Sequence, residues 1–261
     1  MTDWERRPGF DLTGKRALIV GCANPAGAAI ALAFAEAGAD VALASATLDG
    51  DEVMAAKRAS KAVEKLGLKT FSQGWDVTLP TNVTVGLRQL VKEFGRPDIL
   101  VYNADGPLLK ESTKVTDAEF GNTLQVNLAG AFYSARSFMR ELGDGEGRII
   151  ILTSILGERG VELGTAYGAA RGGLVGLMAN LSQELGPRRV TVNCISMGWM
   201  EWSAGAGPDD IGANRLVRFI PLKRLGKADD VTGLATLLAS DGGAYLNGQV
   251  FHVDGGVMGH L

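Results

Sequence analysis

The sequence predicts an α/β fold, a doubly wound, seven-stranded parallel sheet flanked by helices on both faces. Three observations predict it. Short β-rich runs alternate with amphipathic stretches from Lys15 onward, an order that joins parallel strands through helical crossovers. Each helical candidate carries an apolar stripe suited to packing on a sheet. The first strand runs into a glycine-rich turn that opens a helix, Leu18-Ile-Val-Gly21-Cys-Ala-Asn24-Pro25-Ala-Gly27.

Strands are expected at Arg16 to Gly21, Asp40 to Ser45, Thr70 to Trp75, Ile99 to Asn103, Gly147 to Thr153, Val190 to Ile195 and Gln249 to Val253. Helices are expected at Gly27 to Gly38, Asp51 to Leu66, Asn82 to Phe94, Asp117 to Leu142, Leu163 to Leu185 and Ala228 to Ala239. Asp117 and Asp229 lie near helix starts, where a short polar side chain can cap free N–H groups. No internal repeat or low-complexity segment interrupts the pattern. Gly198 to Ile220 is rich in Gly, Ala and Trp and lacks periodicity. So long an irregular stretch reads as a substrate lid, 198–220, within one domain spanning 1–261.

With 261 residues, 46% hydrophobic and 21% charged, and a net charge of -3, the chain has the makeup of a soluble protein with one sizeable core. It offers no basic surface for nucleic acid or an anionic membrane. Cys22 and Cys194 sit in apolar, strand-like surroundings without metal or redox spacing and read as buried thiols. The two histidines, His252 and His260, argue against a histidine metal site. The N-terminus lacks the apolar core of a signal peptide, and no run reaches membrane-spanning length, so a cytoplasmic location is expected.

The chemically telling residues are Ser154 and, thirteen positions later at a helix start, Tyr167-Gly-Ala-Ala-Arg171. A phenol with its ordinary pKa of about 10 exchanges protons poorly at neutral pH. Arg171, one helical turn away, supplies a cation that would lower it. Guanidinium, unlike ammonium, is planar, bulky and never deprotonated. In the glycine-rich turn, Gly21 and Gly27 either let the backbone approach a pyrophosphate at the helix N-terminus or serve strand-to-helix packing alone. Pro25 removes one N–H donor there. Ala44-Ser45-Ala46-Thr47 after the second strand has neither the acid that holds a ribose 2′-hydroxyl nor a base for a 2′-phosphate. That leaves NAD against NADP open, with a lean to NADP.

Taken in chain order, these residues resemble the short-chain dehydrogenase/reductase superfamily from Phe10 to Gly256. The likeness rests on Leu12-Thr-Gly-Lys15, the glycine-rich turn, Asp76-Val77-Thr78, Asn103-Ala104, Asn127 in Val126-Asn-Leu-Ala-Gly130, Ser154, Tyr167, and Leu246-Asn-Gly-Gln-Val250 before Val253-Asp-Gly-Gly256. The resemblance implies a Rossmann-like fold, a NAD(P) cofactor and chemistry on a carbonyl or secondary alcohol. It implies Tyr167 as general acid/base, Ser154 as hydrogen-bond partner of the substrate oxygen, and Asn127 as holder of a relay water. Gly21, Asn24, Gly27 and Ser45 would contact the cofactor, Asp76 and Val77 its adenine, Asn103 and Ala104 its ribose, and Tyr167 and Arg171 its nicotinamide end.

Several positions depart from the family pattern. Val20 replaces a threonine, Pro25 a glycine of the phosphate turn, Asp105 the last glycine of Asn-Asn-Ala-Gly, Arg171 the lysine, Met197 a proline, and Trp202 a threonine. All lie on the cofactor side, a pattern that points to weakened, altered or absent nicotinamide binding.

Three readings follow. The first is an NAD(P)-dependent oxidoreductase. The second is a cofactor-independent lyase resembling halohydrin dehalogenases, whose Ser, Tyr and Arg are spaced as Ser154, Tyr167 and Arg171, with Trp199 or Trp202 walling a halide pocket. The third is a non-catalytic partner or ligand sensor. Trp199 and Trp202 in the substrate pocket suggest a small apolar or aromatic substrate. Apolar residues on several faces of the long helices suggest a homodimer or homotetramer.

Overall fold

In β1 (Arg16–Val20), Leu18 and Val20 face one side of the sheet and Ala17 and Ile19 the other. All four are buried, as a strand covered on both faces requires. The computed structural model describes residues 9–203 and 211–259, without the side chains of 211–214. After β1 come α1 (Pro25–Glu36), β2 (Asp40–Ala44), α2 (Gly50–Glu64), β3 (Thr70–Gln73), α3 (Pro80–Glu93) and β4 (Ile99–Tyr102). The second half holds α4 (Asp117–Leu124), α5 (Gly130–Leu142), β5 (Gly147–Ser154), α6 (Thr165–Leu185), β6 (Val190–Met197), α7 (Ile211–Phe219), α8 (Thr232–Ala239) and β7 (Val250–Val253).

The strands form one seven-stranded sheet in the order β3-β2-β1-β4-β5-β6-β7, parallel throughout. Helices α1, α2 and α8 cover one face, with Ile30, Phe34, Val63 and Leu238 in its core. Helices α3, α5 and α6 cover the other with Leu87, Phe138, Leu174 and Met178. The strand order reverses between β1 and β4, so a crevice opens beyond the carboxyl ends of those two strands.

Four local expectations are corrected. Thr116, rather than Asp117, caps α4: its hydroxyl accepts from the Glu119 N–H, and the Glu119 carboxylate accepts from the Thr116 N–H. Asp229 lies inside a 3-10 turn, Ala228–Val231, that precedes α8. The helix expected over Asp117 to Leu142 is interrupted by a π turn at Gln125–Ala129. Within the expected irregular stretch 198–220, α7 is helical; at nine residues it is too short to show a clear period. Residues 204–210 of that stretch lie outside the described residues, as does His260. Both cysteines are buried, Cys22 on one face of the sheet and Cys194 on the other. No helix among the described residues is long and apolar enough to cross a membrane.

Candidate active site

Three neighbouring segments build the site. Strand β5 ends at Ser154, the first turns of α6 carry Tyr167 and Arg171, and the loop after β4 brings in Asp105. Ser154 and Tyr167 line one cleft of about 230 Å3, walled by Leu109, Leu156, Trp199, Trp202 and Leu216. The Ser154 hydroxyl accepts from the Leu156 N–H at 3.2 Å. The Tyr167 hydroxyl donates to Asp105 Oδ1 at 2.9 Å. Arg171 is 2% exposed and stacks its guanidinium 4.8 Å from the centre of the Tyr167 ring. It donates to Leu152 O and Ala104 O, each at 3.2 Å, and pairs with the Asp105 carboxylate. The guanidinium is therefore directed at protein acceptors.

These contacts reverse the expected effect on the phenol. Burial pushes its pKa above the ordinary tyrosine value; Arg171 pulls it down, but Asp105 opposes Arg171 both by charge and by accepting the phenolic proton. Tyr167 is thus held protonated. A larger hollow of about 480 Å3 beyond Trp199 contains His252 and the Arg224–Asp230 ion pair, but neither Ser154 nor Tyr167.

Asn127, on the π turn, is fully buried and pins the loop after β4. Its Nδ2 donates to Gly106 O at 2.8 Å and to Thr123 O at 2.9 Å, and its Oδ1 accepts from the Gly106 N–H at 3.0 Å. The next residue back along that loop is Asp105, so Asn127 fixes the segment that bears the carboxylate.

The glycine-rich turn packs tightly against β4. Gly21 has φ +97°, and a Cβ there would lie 2.5 Å from the Ala104 nitrogen; a Cβ at Gly27 would overlap Gly21 O. Asn24 caps α1 by accepting from the Ala26 N–H at 3.0 Å and from Asn103 Nδ2 at 3.0 Å. Pro25 occupies the first turn of α1, where its missing N–H interrupts no intrahelical bond. That turn itself carries no acidic residue, so none of its own side chains cancels the positive end of the helix. The switch-point crevice, the close-packed turn and this helix end fit the pyrophosphate of a dinucleotide. At the adenosine side the expected contacts are used internally. The Ser45 hydroxyl donates to Trp75 O and accepts from the Trp75 N–H, Val77 is wholly buried, and Asp76 Oδ1 accepts from Thr78.

Two carboxylates of the site were given no role by the motifs. Asp105 was visible only as a departure from a glycine, and Glu52, within the helix expected from Asp51, was not singled out.

A family model described as Enoyl-(Acyl carrier protein) reductase matches residues 21–258. The 3-oxoacyl-(acyl-carrier-protein) reductase FabG of Escherichia coli is 30% identical over 249 residues, covering 95% of this chain and 99% of that protein. The chain belongs to the short-chain dehydrogenase/reductase family. Solved members superpose closely. A candidate short-chain alcohol dehydrogenase from Sinorhizobium meliloti 1021 gives a TM-score of 0.91 at 33% identity, covering 97% of this chain and all of that one (100%). A blue fluorescent protein from a metagenomic library, solved in complex with NADPH, gives 0.87 at 29%, covering 95% and 99%. As a short-chain dehydrogenase/reductase, the chain is an NAD(P)-dependent oxidoreductase, and these likenesses do not favour the lyase or non-catalytic readings. The carboxylate of Asp105 in the cleft is also the wrong charge for a halide pocket.

Proposed function

We propose that the chain interconverts a small apolar or aromatic carbonyl compound and its secondary alcohol in the Ser154–Tyr167 cleft, working best in the direction of reduction. The observation that carries this reading is the Tyr167 phenol, held protonated beside Ser154 among apolar walls. Ser154 Oγ donates to the carbonyl oxygen, and the Tyr167 hydroxyl exchanges its bond to Asp105 Oδ1 for one to that oxygen and gives up its proton to it as negative charge develops there. The buried Arg171 guanidinium then lies against the phenolate ring and stabilises it. Asp105, whose side chain is 18% exposed, links the phenol to solvent and is the route by which its proton is replaced. Asn127 holds that route in place through Gly106. Gly21, Asn24, Gly27, Asn103 and Ala104 shape the seat of the dinucleotide, with its pyrophosphate at the N-terminus of α1. When bound there, the dinucleotide supplies or accepts the hydride. Trp199, Trp202 and Leu216, which wall the cleft, select the substrate in this reading.

The test is consumption of NADH or NADPH with a panel of aromatic ketones and 3-oxoacyl thioesters. Tyr167→Phe is expected to lower turnover by at least about a hundredfold. Turnover at the wild-type level in that variant would remove the proton-donor role.

A further inference from the structure

The acid that the second strand lacks arrives from the following helix. Glu52, in the first turn of α2, is only 6% exposed. Its Oε1 accepts from the Cys22 N–H at 3.2 Å and the Ala46 N–H at 2.8 Å. Its Oε2 accepts from the Thr47 N–H at 3.0 Å and the Thr47 hydroxyl at 2.8 Å. One carboxylate thus spans the carboxyl ends of β1 and β2, where the adenosine ribose of a dinucleotide sits in folds of this kind. A carboxylate offers about four acceptor positions, and the protein's own donors fill that number here. The N–H groups of Cys22, Ala46 and Thr47 are therefore committed to Glu52 rather than free for a 2′-phosphate. No lysine or arginine lies between Ala44 and Val53 or between Gly21 and Ile30, whereas Asp49 and Asp51 add further negative charge.

We infer that Glu52 is the residue that sets cofactor choice, excluding the 2′-phosphate of NADP(H) and making NAD(H) the working cofactor. This rests on the proposed oxidoreductase site, and it replaces the lean to NADP drawn from the bare strand end. A 2′-phosphate would have to displace a buried carboxylate from four donors and remain beside its charge.

The experiment uses adenosine fragments, which do not reach the nicotinamide end. Calorimetry on the full chain compares 5′-AMP with 2′,5′-ADP, and NADH with NADPH, for the wild type, Glu52→Gln and Glu52→Ala. The wild type is expected to bind 5′-AMP and NADH at least about tenfold more tightly than their 2′-phosphorylated counterparts, and both substitutions to narrow that ratio. Equal or tighter wild-type binding of 2′,5′-ADP would overturn the role of Glu52 while leaving the oxidoreductase site standing. An unchanged ratio in folded variants would do the same. Wild-type protein that binds neither 5′-AMP nor NADH would overturn both. Thermal melting identifies a variant that fails to fold, and the wild-type ratio then decides alone.

Discussion

Asp105 and Arg171 make sense as a pair. Burial raises the phenol's pKa; the arginine after Tyr167-Gly-Ala-Ala pulls it down, and an aspartate that accepts from both the phenol and the guanidinium opposes that pull. Burial contributes most to the upward shift, so reduction should be insensitive to pH through neutrality and decline only at alkaline pH, where the phenol loses its proton. Asp105→Asn keeps an acceptor oxygen but removes the opposing charge, leaving the pull of Arg171 in place. The alkaline limb of the kcat/KM profile is therefore expected to move to lower pH; an unmoved limb would mean that the carboxylate does not act on the phenol electrostatically. Asp105→Asn should also cost stability, because it leaves a buried guanidinium without its counter-charge.

Helix α3 shows how an element is fitted to the sheet at one residue. Gly86 faces the buried Trp75 indole, and a Cβ at that position would overlap the ring. Alanine in a helix normally gains about 0.5–1 kcal/mol over glycine. Overpacking a dense core costs about 1–3 kcal/mol, so the clash should win. Gly86→Ala is expected to lower the denaturation midpoint, and a higher midpoint would show that Trp75 can shift. The N-terminus of α4 is secured by a different device. Lys110 and Thr116 together hold the Glu119 carboxyl at about 2, well below its ordinary value. A depressed carboxylate contributes stability above its unfolded pKa, about 4.3. That contribution fades as pH falls through the native value near 2, so protection of α4 amides in hydrogen exchange should weaken at acid pH before the sheet opens. Protection that stayed constant down to that pH would remove Glu119 from the cap.

Across the whole molecule, the sheet buries its residues on both faces, yet the outer side of α5 and α6 retains apolar surface. Phe132 is 40% exposed and forms a groove with Met139, Leu181 and Leu185, with Arg136 stacked 5.0 Å from its ring. We propose this groove as the contact of the homodimer or homotetramer expected from the sequence, a face that would pair with itself in a symmetric assembly. Phe132→Asp is expected to reduce the mass measured by light scattering at micromolar concentration to that of the monomer. An unchanged oligomer would exclude this face as the contact.

The order of strands and helices, the two-sided burial of the sheet and the positions of Ser154, Tyr167 and Arg171 were legible in the sequence. The elements depend on periodicity and turn residues, which act over a few neighbouring positions; Ser154 and Tyr167 were picked out by the family resemblance, and Arg171 was placed beside the phenol by helical spacing. Thr116 was overlooked because the capping-box partner Glu119, rather than the acid nearest the helix start, identifies the cap. The electrostatics of the site were not legible. Asp105 meets Tyr167 across 62 positions and Glu52 meets Cys22 across 30, through loops whose paths no local pattern encodes. Sequence alone therefore determined the family fold and which phenol faces the cleft. Tertiary structure decided the protonation state of that phenol and placed a carboxylate at the adenosine end, because a buried charge takes its effect from whatever donors and charges the folded chain brings within a few ångströms.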